Sequence, residues 1–341
     1  MTDGLHRYEF EKPVAELQRR LLELRKEHSQ NPQASAVRAL EMQLEQLKRK
    51  VYDRLAPWQR VQLARHPLRP YTLDYIKLIM NEFVELHGDR CYGDDKALVA
   101  GVARLDGQQL LVLGHQKGRD TKENLMRNFG SAHPEGYRKA LRLMQLAAKR
   151  HLPIVIFIDT PGAYPGIGAE ERGQAHSIAL NMREMARLRT SVYICVIGEG
   201  GSGGALGVGV GDWVVMLEHA YYSVISPEGC AAILWRDRAK APEAAEALKL
   251  TAKDLLGMQI IDEIIDEPLG GAHHDPTLVA QRIKESILRF WKSMRARSPE
   301  ALVEHRYERF RRMGVYTTDL STSTLPPPPQ PVSSVPHASP F

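Results

Sequence analysis

The chain carries the stretch Ile158-Asp159-Thr160-Pro161-Gly162-Ala163-Tyr164-Pro165-Gly166-Ile167-Gly168 and, about forty residues later, Gly198-Glu199-Gly200-Gly201-Ser202-Gly203-Gly204-Ala205. Each stretch follows a short apolar run. Glycine adopts positive φ at no steric cost and lets the backbone approach a ligand closely. Loops of this composition offer backbone N–H groups in place of side chains. The two stretches therefore predict a site in which amides do the chemistry.

Strand and helix patterns alternate from about residue 71 onward. Short apolar runs bounded by turn residues predict strands, and Asp106-Gly107 predicts the turn of a hairpin. Longer segments with apolar residues at helical spacing predict helices. The predicted strands are 97–105, 109–114, 153–158, 191–197, 213–217 and 221–225, and the predicted helices are 134–150, 169–187, a short one near Gly203, 227–234, 242–256 and 276–313. This alternation indicates an α/β fold.

The two ends of the chain differ from this pattern. Apolar residues recur at helical spacing over 14–55, and Asn31-Pro32 marks a turn between two helices. Such a hairpin cannot bury its apolar stripe alone, so we expect it to pack on the main domain or on a partner. The C-terminal stretch is rich in Ser, Thr and Pro and is expected to be disordered. The predicted regions are a helical hairpin (1–70), an α/β domain (71–316) and a tail (317–341).

Composition argues against several classes of function. The formal net charge of +5 arises in residues 1–70, which hold 14 Lys and Arg against 9 Asp and Glu, without the aromatic-interleaved stripe typical of nucleic-acid binding. No apolar run approaches the ~18 residues that span a bilayer, and no secretory signal is recognisable, so we expect no membrane contact and a cytoplasmic location. The three cysteines are far apart, which predicts reduced, buried thiols. Without a Cys-x-x-Cys pair, and with no third ligand near His273-His274, no metal site is expected.

The second glycine stretch matches the dinucleotide-binding fingerprint in its spacing. Gly198, Gly200 and Gly203 fall at the required intervals, and Glu218 lies twenty residues beyond Gly198. The segment that follows is too short and too rich in glycine for the crossover helix of a Rossmann unit. This interpretation is therefore weak.

The same stretch also fits the Gly-x-Ser-x-Gly elbow of serine hydrolases, with Ser202 as nucleophile. The conceivable partners of Ser202 are Asp159 or Glu228 as the acid and His219 or His273 as the base. A third interpretation is an oxyanion hole, formed by the amides of Gly203 and Gly204 where unpaired N–H groups open a helix. That interpretation requires no particular side chain, which is what the stretch offers.

Several longer runs carry a resemblance to one family. In chain order they are 114–119, 128–130, 134–144, 159–166, 169–174, 198–205 and 226–230. Together they resemble the carboxyltransferase alpha subunit of multisubunit acetyl-coenzyme A carboxylase, of the bacterial and plastid type, from about residue 8 to Tyr316. The resemblance implies a crotonase-like spiral of ββα units. The tail after Tyr316 has no counterpart in it.

The resemblance also implies a reaction and partners. The reaction moves the carboxyl group of carboxybiotin, held on a carrier protein, to acetyl-CoA and gives malonyl-CoA, the committed step of fatty acid synthesis. The implied complex contains two alpha and two beta subunits, with the zinc ribbon on beta, and works with biotin carboxyl carrier protein and biotin carboxylase. Biotin is the implied cofactor, acetyl-CoA the substrate, and ATP binding accompanies the activity.

By the same resemblance, Gly203 and Gly204 stabilise negative charge on the ureido oxygen of biotin, at ~3–4 kcal/mol per donor. No side chain is then required as a general base, since N1′ of biotin can take the proton of acetyl-CoA. We expect Gly204 to face the ligand and to tolerate valine without unfolding, and Gly209 to accept alanine at ordinary cost. Tyr164 either lies along the biotin ring or caps the core. The residues expected to wall the biotin slot are Pro161, Gly162, Ala163, Tyr164, Pro165, Gly166, Gly200, Gly201 and Ser202, and the possible CoA or carrier contacts are Lys117, Arg119, Arg138 and Lys139.

Overall fold

The structure is a computed structural model that describes residues 8–27 and 35–314. Within these residues the strands are β1 (Asn81–Glu85), β2 (Leu98–Leu105), β3 (Gln108–His115), β4 (Ile154–Thr160), β5 (Val192–Gly201), β6 (Trp213–Leu217), β7 (Tyr221–Ser223) and β8 (Glu263–Ile265). They form one sheet in the order β1-β2-β3-β4-β5-β6-β8, and β7 pairs with β5. The predicted tail and the predicted turn at Asn31-Pro32 lie outside the described residues.

Helices cover the sheet and form the N-terminal region. They are α1 (Lys12–Glu27), α2 (Ser35–Tyr52), α3 (Pro57–Ala64), α4 (Thr72–Ile79), α5 (Thr121–Met126), α6 (Pro134–Lys149), α7 (Ile167–Glu171), α8 (Gln174–Ala186), α9 (Ser202–Leu206), α10 (Pro227–Leu234), α11 (Ala241–Leu248), α12 (Ala252–Gly257), α13 (Pro276–Met294) and α14 (Pro299–Arg311). In the part of the chain described here, no helix has the length and apolar character needed to cross a membrane.

The centre of the sheet explains why the glycine stretches lie side by side. Strands β4 and β5 are buried at every residue, as expected of parallel strands covered by helices on both faces. They pair in parallel from Ile154 opposite Val192 to Thr160 opposite Gly200. Because parallel neighbours end at the same edge, the loop after β4 and the loop after β5 emerge together.

Local structure follows the sequence prediction at the hairpin and departs from it in three helices. The β2–β3 hairpin turns at Asp106 and Gly107, both with positive φ. The helix predicted over 169–187 is two helices, because Gly173 adopts a left-handed conformation (φ 81°). The helix predicted over 242–256 breaks after Lys249, which is also left-handed (φ 50°), and the helix predicted over 276–313 breaks where Ser298 caps α14. Each of these single long helices was a wrong prediction.

The N-terminal hairpin consists of α1 and α2. Helices α1 and α2 pack against each other through Val14, Leu21, Val37 and Leu44, which are all buried. Helix α3 instead packs on the main domain, where Val61 joins a cluster with residues of β7 and α11. Through Leu63, α3 also packs on Tyr52 and Leu55, so it connects the hairpin to the α/β domain, and the boundary at residue 70 stays a prediction.

Two buried arginines, Arg306 and Arg309, fix α14 to the rest of the domain, and Arg306 is the more deeply buried. The Arg306 guanidinium donates two hydrogen bonds to the Asp212 carboxylate, at 3.0 and 2.8 Å. It also donates to the carbonyl oxygens of Met185, Leu188 and Thr190. Since both side chains of the ion pair are almost completely buried, each charge depends on the other for its solvation.

We expect Arg306→Met to destabilise the protein by ~3–5 kcal/mol, because it leaves the Asp212 carboxylate buried without a cation. Arg311→Met, on the exposed side of the same helix, is the control and should change stability by less than ~0.5 kcal/mol. Urea unfolding of the full-length chain measures both. Equal stability of the two variants would show that Arg306 does not anchor α14.

Candidate active site

Three charged side chains meet beneath the glycine stretches, one from the end of each of three neighbouring parallel strands. The Lys117 ammonium, just after β3, donates to Asp159 Oδ1 at 2.6 Å and to Glu199 Oε1 at 2.8 Å. The Glu199 backbone N–H donates to the same Asp159 oxygen at 2.9 Å. All three side chains are at most 12% exposed. We call Lys117, Asp159 and Glu199 the charge triad.

Residues from outside the strands extend the charge triad. Arg65, just after α3, donates to Glu199 at 2.7 Å and also to Glu228 at the start of α10. The Tyr221 hydroxyl donates to Glu199 at 2.7 Å. Burial alone raises the pKa of Glu199, but the charges of Lys117 and Arg65 outweigh it and hold that pKa at about 2. Glu199 is therefore an ionised structural acceptor.

The Lys117 ammonium is charged for the same reason. Burial lowers the pKa of Lys117, but the Asp159 and Glu199 carboxylates raise it well above its usual range. Nearby, His115 is fully buried beside Gly204, and burial together with the Lys117 charge lowers the pKa of His115 to about 3. The imidazole is thus neutral at physiological pH, and it packs below the glycine stretches as an uncharged group.

The two glycine stretches touch each other through backbone atoms. An added Cβ on Gly201 would lie 2.2 Å from the Pro161 carbonyl oxygen. An added Cβ on Gly204 would lie 2.5 Å from Gly162 C and from Ala163 N. Gly204 is thus buried against the first loop, which corrects the expectation that this position faces only the ligand. Gly209 is also tight, since an added Cβ would lie 2.8 Å from the Ala205 carbonyl oxygen, so alanine there is not a mild change.

Gly203 differs from Gly204 in its surroundings. An added Cβ on Gly203 would meet only Ile178 Cδ1, at 3.6 Å. Gly203 lies at the wall of a cavity of about 470 Å³. The first four N–H groups of any helix lack an intrahelical acceptor, and in α9 these include the amides of Gly203 and Gly204. Most other residues of the cavity wall are apolar, among them Leu206, Tyr222, Val224 and Met258.

The first loop contacts Gly201 and Gly204 through its backbone, whereas its Tyr164 ring packs elsewhere. The Tyr164 ring stacks on His133 with ring centroids 4.1 Å apart, and the Tyr164 N–H donates to the Ala132 carbonyl. The Gly166 Cα passes close to the same ring. Pro161 and Pro165 are exposed, and Gly162, Ala163, Tyr164 and Gly166 are half-buried. A contact between Tyr164 and a biotin ring stays a prediction.

The four cations predicted to contact CoA or a carrier are engaged within the chain. Lys117 belongs to the charge triad. The Lys139 ammonium is completely buried and donates to Asp94 Oδ1 at 2.6 Å and to the Asp95 carbonyl. Burial and internal pairing favour structural roles for both lysines over a role in phosphate binding.

The two arginines of this group are less enclosed. Arg138 donates to Asp89 at 2.8 Å and to Glu135 at 3.0 Å. Arg119 pairs with Asp74, lies over the Tyr71 ring, and keeps 40% of its side chain exposed. Contact with CoA or a carrier stays a prediction for Arg138 and Arg119.

Sequence reasoning missed Arg65 and Tyr221, and it gave Glu199 no role. The first two are separated from Glu199 by 134 and 22 positions, so no periodicity connects them. The prediction of buried thiols holds for Cys195 and Cys230, whereas Cys91 is exposed.

The hydrolase interpretation is not supported by the geometry around Ser202. Ser202 does have the left-handed backbone of a nucleophile elbow (φ 48°). Among the described residues, however, no histidine or carboxylate hydrogen-bonds to its hydroxyl. The two proposed acids, Asp159 and Glu228, accept hydrogen bonds from Lys117 and Arg65, and His219 lies against Arg60.

The dinucleotide interpretation fails on secondary structure. Gly198 and Gly200 lie inside β5 and not in the turn that follows it. Helix α9 has five residues, too few for a crossover helix. Glu218 accepts the backbone N–H of Glu267 and lies near Arg60.

Known proteins match the chain over most of its length. Residues 7–314 match the family described as acetyl co-enzyme A carboxylase carboxyltransferase-like. The sequence is 55% identical over 309 residues to acetyl-coenzyme A carboxylase carboxyl transferase subunit alpha of Geobacter metallireducens, covering 90% of this chain and 97% of that protein. It is 55% identical over 310 residues to a subunit of the same name from Thermus thermophilus, covering 90% and 98%.

Solved structures share the fold at low sequence identity. Transcarboxylase 12S aligns with a TM-score of 0.51 at 19% identity, over 66% of this chain and 44% of that one. The beta subunit of Pseudomonas aeruginosa geranyl-CoA carboxylase aligns with a TM-score of 0.53 at 16% identity, over 73% and 46%. The chain thus spans less than half the length of either. The fold is the crotonase-like fold of carboxyltransferases, as predicted.

The chain belongs to the acetyl-coenzyme A carboxylase carboxyltransferase family, and the relatives it matches along nearly their whole length are alpha subunits. It is therefore a carboxyltransferase subunit, which confirms the sequence resemblance. Neither the fold nor these relatives support the ATP binding included among the sequence predictions.

The unequal surroundings of the two glycines give a testable contrast. We expect Gly204→Ala to destabilise the protein by ~1–3 kcal/mol, because the methyl group meets backbone atoms of the first loop that cannot rotate away. Gly203→Ala adds the same methyl group at ordinary contact distance and should cost less than ~1 kcal/mol. Thermal unfolding of both full-length variants is the measurement. A more stable Gly204→Ala than Gly203→Ala would contradict the described contact between the loops.

Proposed function

We propose that this chain supplies the biotin-facing surface of an acetyl-CoA carboxyltransferase, and that the amides of Gly203 and Gly204 bind the ureido oxygen of biotin. The observation that carries the proposal is the position of Gly203, whose amide opens α9 at the wall of the apolar cavity. The close backbone contact at Gly204 fixes the neighbouring amide. Donors held in this way need little reorganisation when charge develops on an oxygen.

Carboxyl transfer from biotin requires N–H donors at the ureido oxygen. Loss of the carboxyl group from carboxybiotin places negative charge on the ureido oxygen. Each preorganised N–H donor aimed at that oxygen contributes ~3–4 kcal/mol to stabilising the transition state. The apolar residues Leu206, Val224 and Met258 line the cavity and are exposed, so a bound biotin ring covers them and displaces water from beside these hydrogen bonds.

The chain offers electrostatic stabilisation more readily than a general base. Glu199 has its pKa held at about 2, so it binds a proton weakly at neutral pH. Asp159 accepts hydrogen bonds from Lys117 and from the Glu199 amide. The proton of acetyl-CoA is then taken by N1′ of biotin, and the role of this chain is to hold the ring and stabilise its oxygen.

The remaining site residues follow from this proposal. The backbone from Gly200 to Ser202 and the loop from Pro161 to Gly166, with Tyr164, form the walls against which the biotin ring lies. Arg119 and Arg138, which both keep part of the side chain exposed, meet the carrier protein or the phosphates of CoA.

The proposed partners complete the reaction. A carboxyltransferase beta subunit supplies the second oxyanion hole, for the thioester oxygen, and most of the acyl-CoA site, in a complex of two alpha and two beta subunits. The biotin is carried by biotin carboxyl carrier protein and is carboxylated by biotin carboxylase.

Reconstitution tests this function. The purified chain alone should not transfer a carboxyl group from malonyl-CoA to biocytin, and addition of its beta subunit should restore transfer. In the complex, Ser202→Ala should stay within about threefold of the unsubstituted rate, because amide donors do not use the hydroxyl. Steady-state transfer and labelling by a fluorophosphonate probe are the readouts.

Two outcomes would contradict the proposal. Robust transfer by the chain alone would remove the two-subunit mechanism. Stoichiometric fluorophosphonate labelling that Ser202→Ala abolishes, together with a loss of transfer of about 10³-fold or more, would favour a serine nucleophile.

A further inference from the structure

A second cavity lies at the edge of the sheet opposite the glycine stretches. It has a volume of about 720 Å³. Its wall includes Gln108, Pro153 and Ser191, which lie at or just before the amino-terminal ends of β3, β4 and β5. The other side is formed by the end of α13 and the turn that leads into α14. At ~3.3 Å per residue, β4 alone separates this cavity from the glycine loops by ~20 Å.

The cavity wall is strongly cationic. Arg189, Lys292, Arg295 and Arg297 line it together with His151, and no carboxylate is among the lining residues. Arg189 forms an ion pair with the exposed Glu300. The other three cations have no carboxylate within ion-pair distance in the described parts of the chain. No carboxylate of the described residues therefore compensates their mutual repulsion, and an anion would relieve it.

An indole adds a second, independent feature. Trp291 lines the same cavity, one residue before Lys292. Its Nε1–H is buried and has no hydrogen-bond acceptor among the described residues. A buried donor without an acceptor costs free energy unless a ligand or water satisfies it. Three exposed cations thus surround the open mouth of the cavity, and the unsatisfied indole donor is buried in its wall.

We propose that this cavity binds a small organic ligand with two or more phosphate groups. Lys292, Arg295 and Arg297 neutralise the phosphates, and arginine forks match phosphate oxygens in geometry. The volume is in the range of sites for small molecules, whereas nucleic acid requires an extended basic stripe. The ligand lies far from the glycine loops. It can therefore change carboxyl transfer only by shifting β4 and β5, which connect the cavity to those loops.

Binding of inorganic tripolyphosphate and of ATP to the alpha–beta complex tests the proposal. Calorimetric titration at constant ionic strength should give saturable binding, with one site per alpha chain. The triple substitution Lys292→Gln, Arg295→Gln, Arg297→Gln should weaken that binding at least about tenfold, since it removes three charge-assisted contacts. Tighter binding of ATP than of tripolyphosphate would assign part of the recognition to the organic moiety, and equal binding would assign it to the phosphates.

Two controls make the result specific. The double substitution Lys50→Gln, Arg54→Gln removes exposed cations from the N-terminal region and should leave the affinity unchanged. Trp291→Phe should remove most of the ligand-induced change in tryptophan fluorescence while the complex stays folded. The proposal is overturned if binding is not saturable, or if the triple variant binds both probes as tightly as the unsubstituted complex.

Discussion

The site depends on the ion pairs that the buried Lys117 ammonium forms with Asp159 and Glu199. The ammonium lies between two carboxylates from neighbouring strands and satisfies both at hydrogen-bond distance. Removing this cation leaves the buried Asp159 carboxylate without its ammonium donor beside Glu199, which keeps only Arg65 as a cationic partner, so the arrangement tolerates little change. Asp159 lies near the end of β4, where the first loop begins, and Glu199 lies near the end of β5, where the second loop begins. The triad therefore fixes the starts of the two loops relative to each other.

Backbone packing on the opposite side completes this constraint. Gly201 and Gly204 lie against Pro161 and Gly162 at distances that admit no side chain. The second loop is therefore held by charges on one side and by main-chain contacts on the other, and the helix that follows it, α9, begins beside the cavity. Arg65 carries the network into the segment after α3, which explains why residues beyond the hairpin are part of the catalytic domain.

The sequence predicted the elements whose pattern is local. Strands β2 to β6 follow from apolar runs and turn residues, and their parallel order brings the two glycine stretches together as a consequence. A helix break at a residue other than proline or glycine, such as the break at Lys249, has no recognisable sequence pattern. The burial of Lys117 was not predictable either, because its partners lie 42 and 82 positions away. The prediction of Gly203 and Gly204 as amide donors to biotin came from the family resemblance, whereas the packing of Gly204 against the first loop depends on tertiary contacts alone.

The most direct test separates stability from geometry in the charge triad. Lys117→Met alone should destabilise the subunit by ~3–5 kcal/mol, whereas the neutral triple variant Lys117→Met, Asp159→Asn, Glu199→Gln should regain most of that stability, because no unpaired charge remains in the triad. Carboxyl transfer by the alpha–beta complex of the triple variant is the decisive measurement. If the triad sets the position of the amide donors, transfer stays at least about tenfold below that of the unsubstituted complex even though the protein is folded. Unimpaired transfer by a stable triple variant would contradict this account.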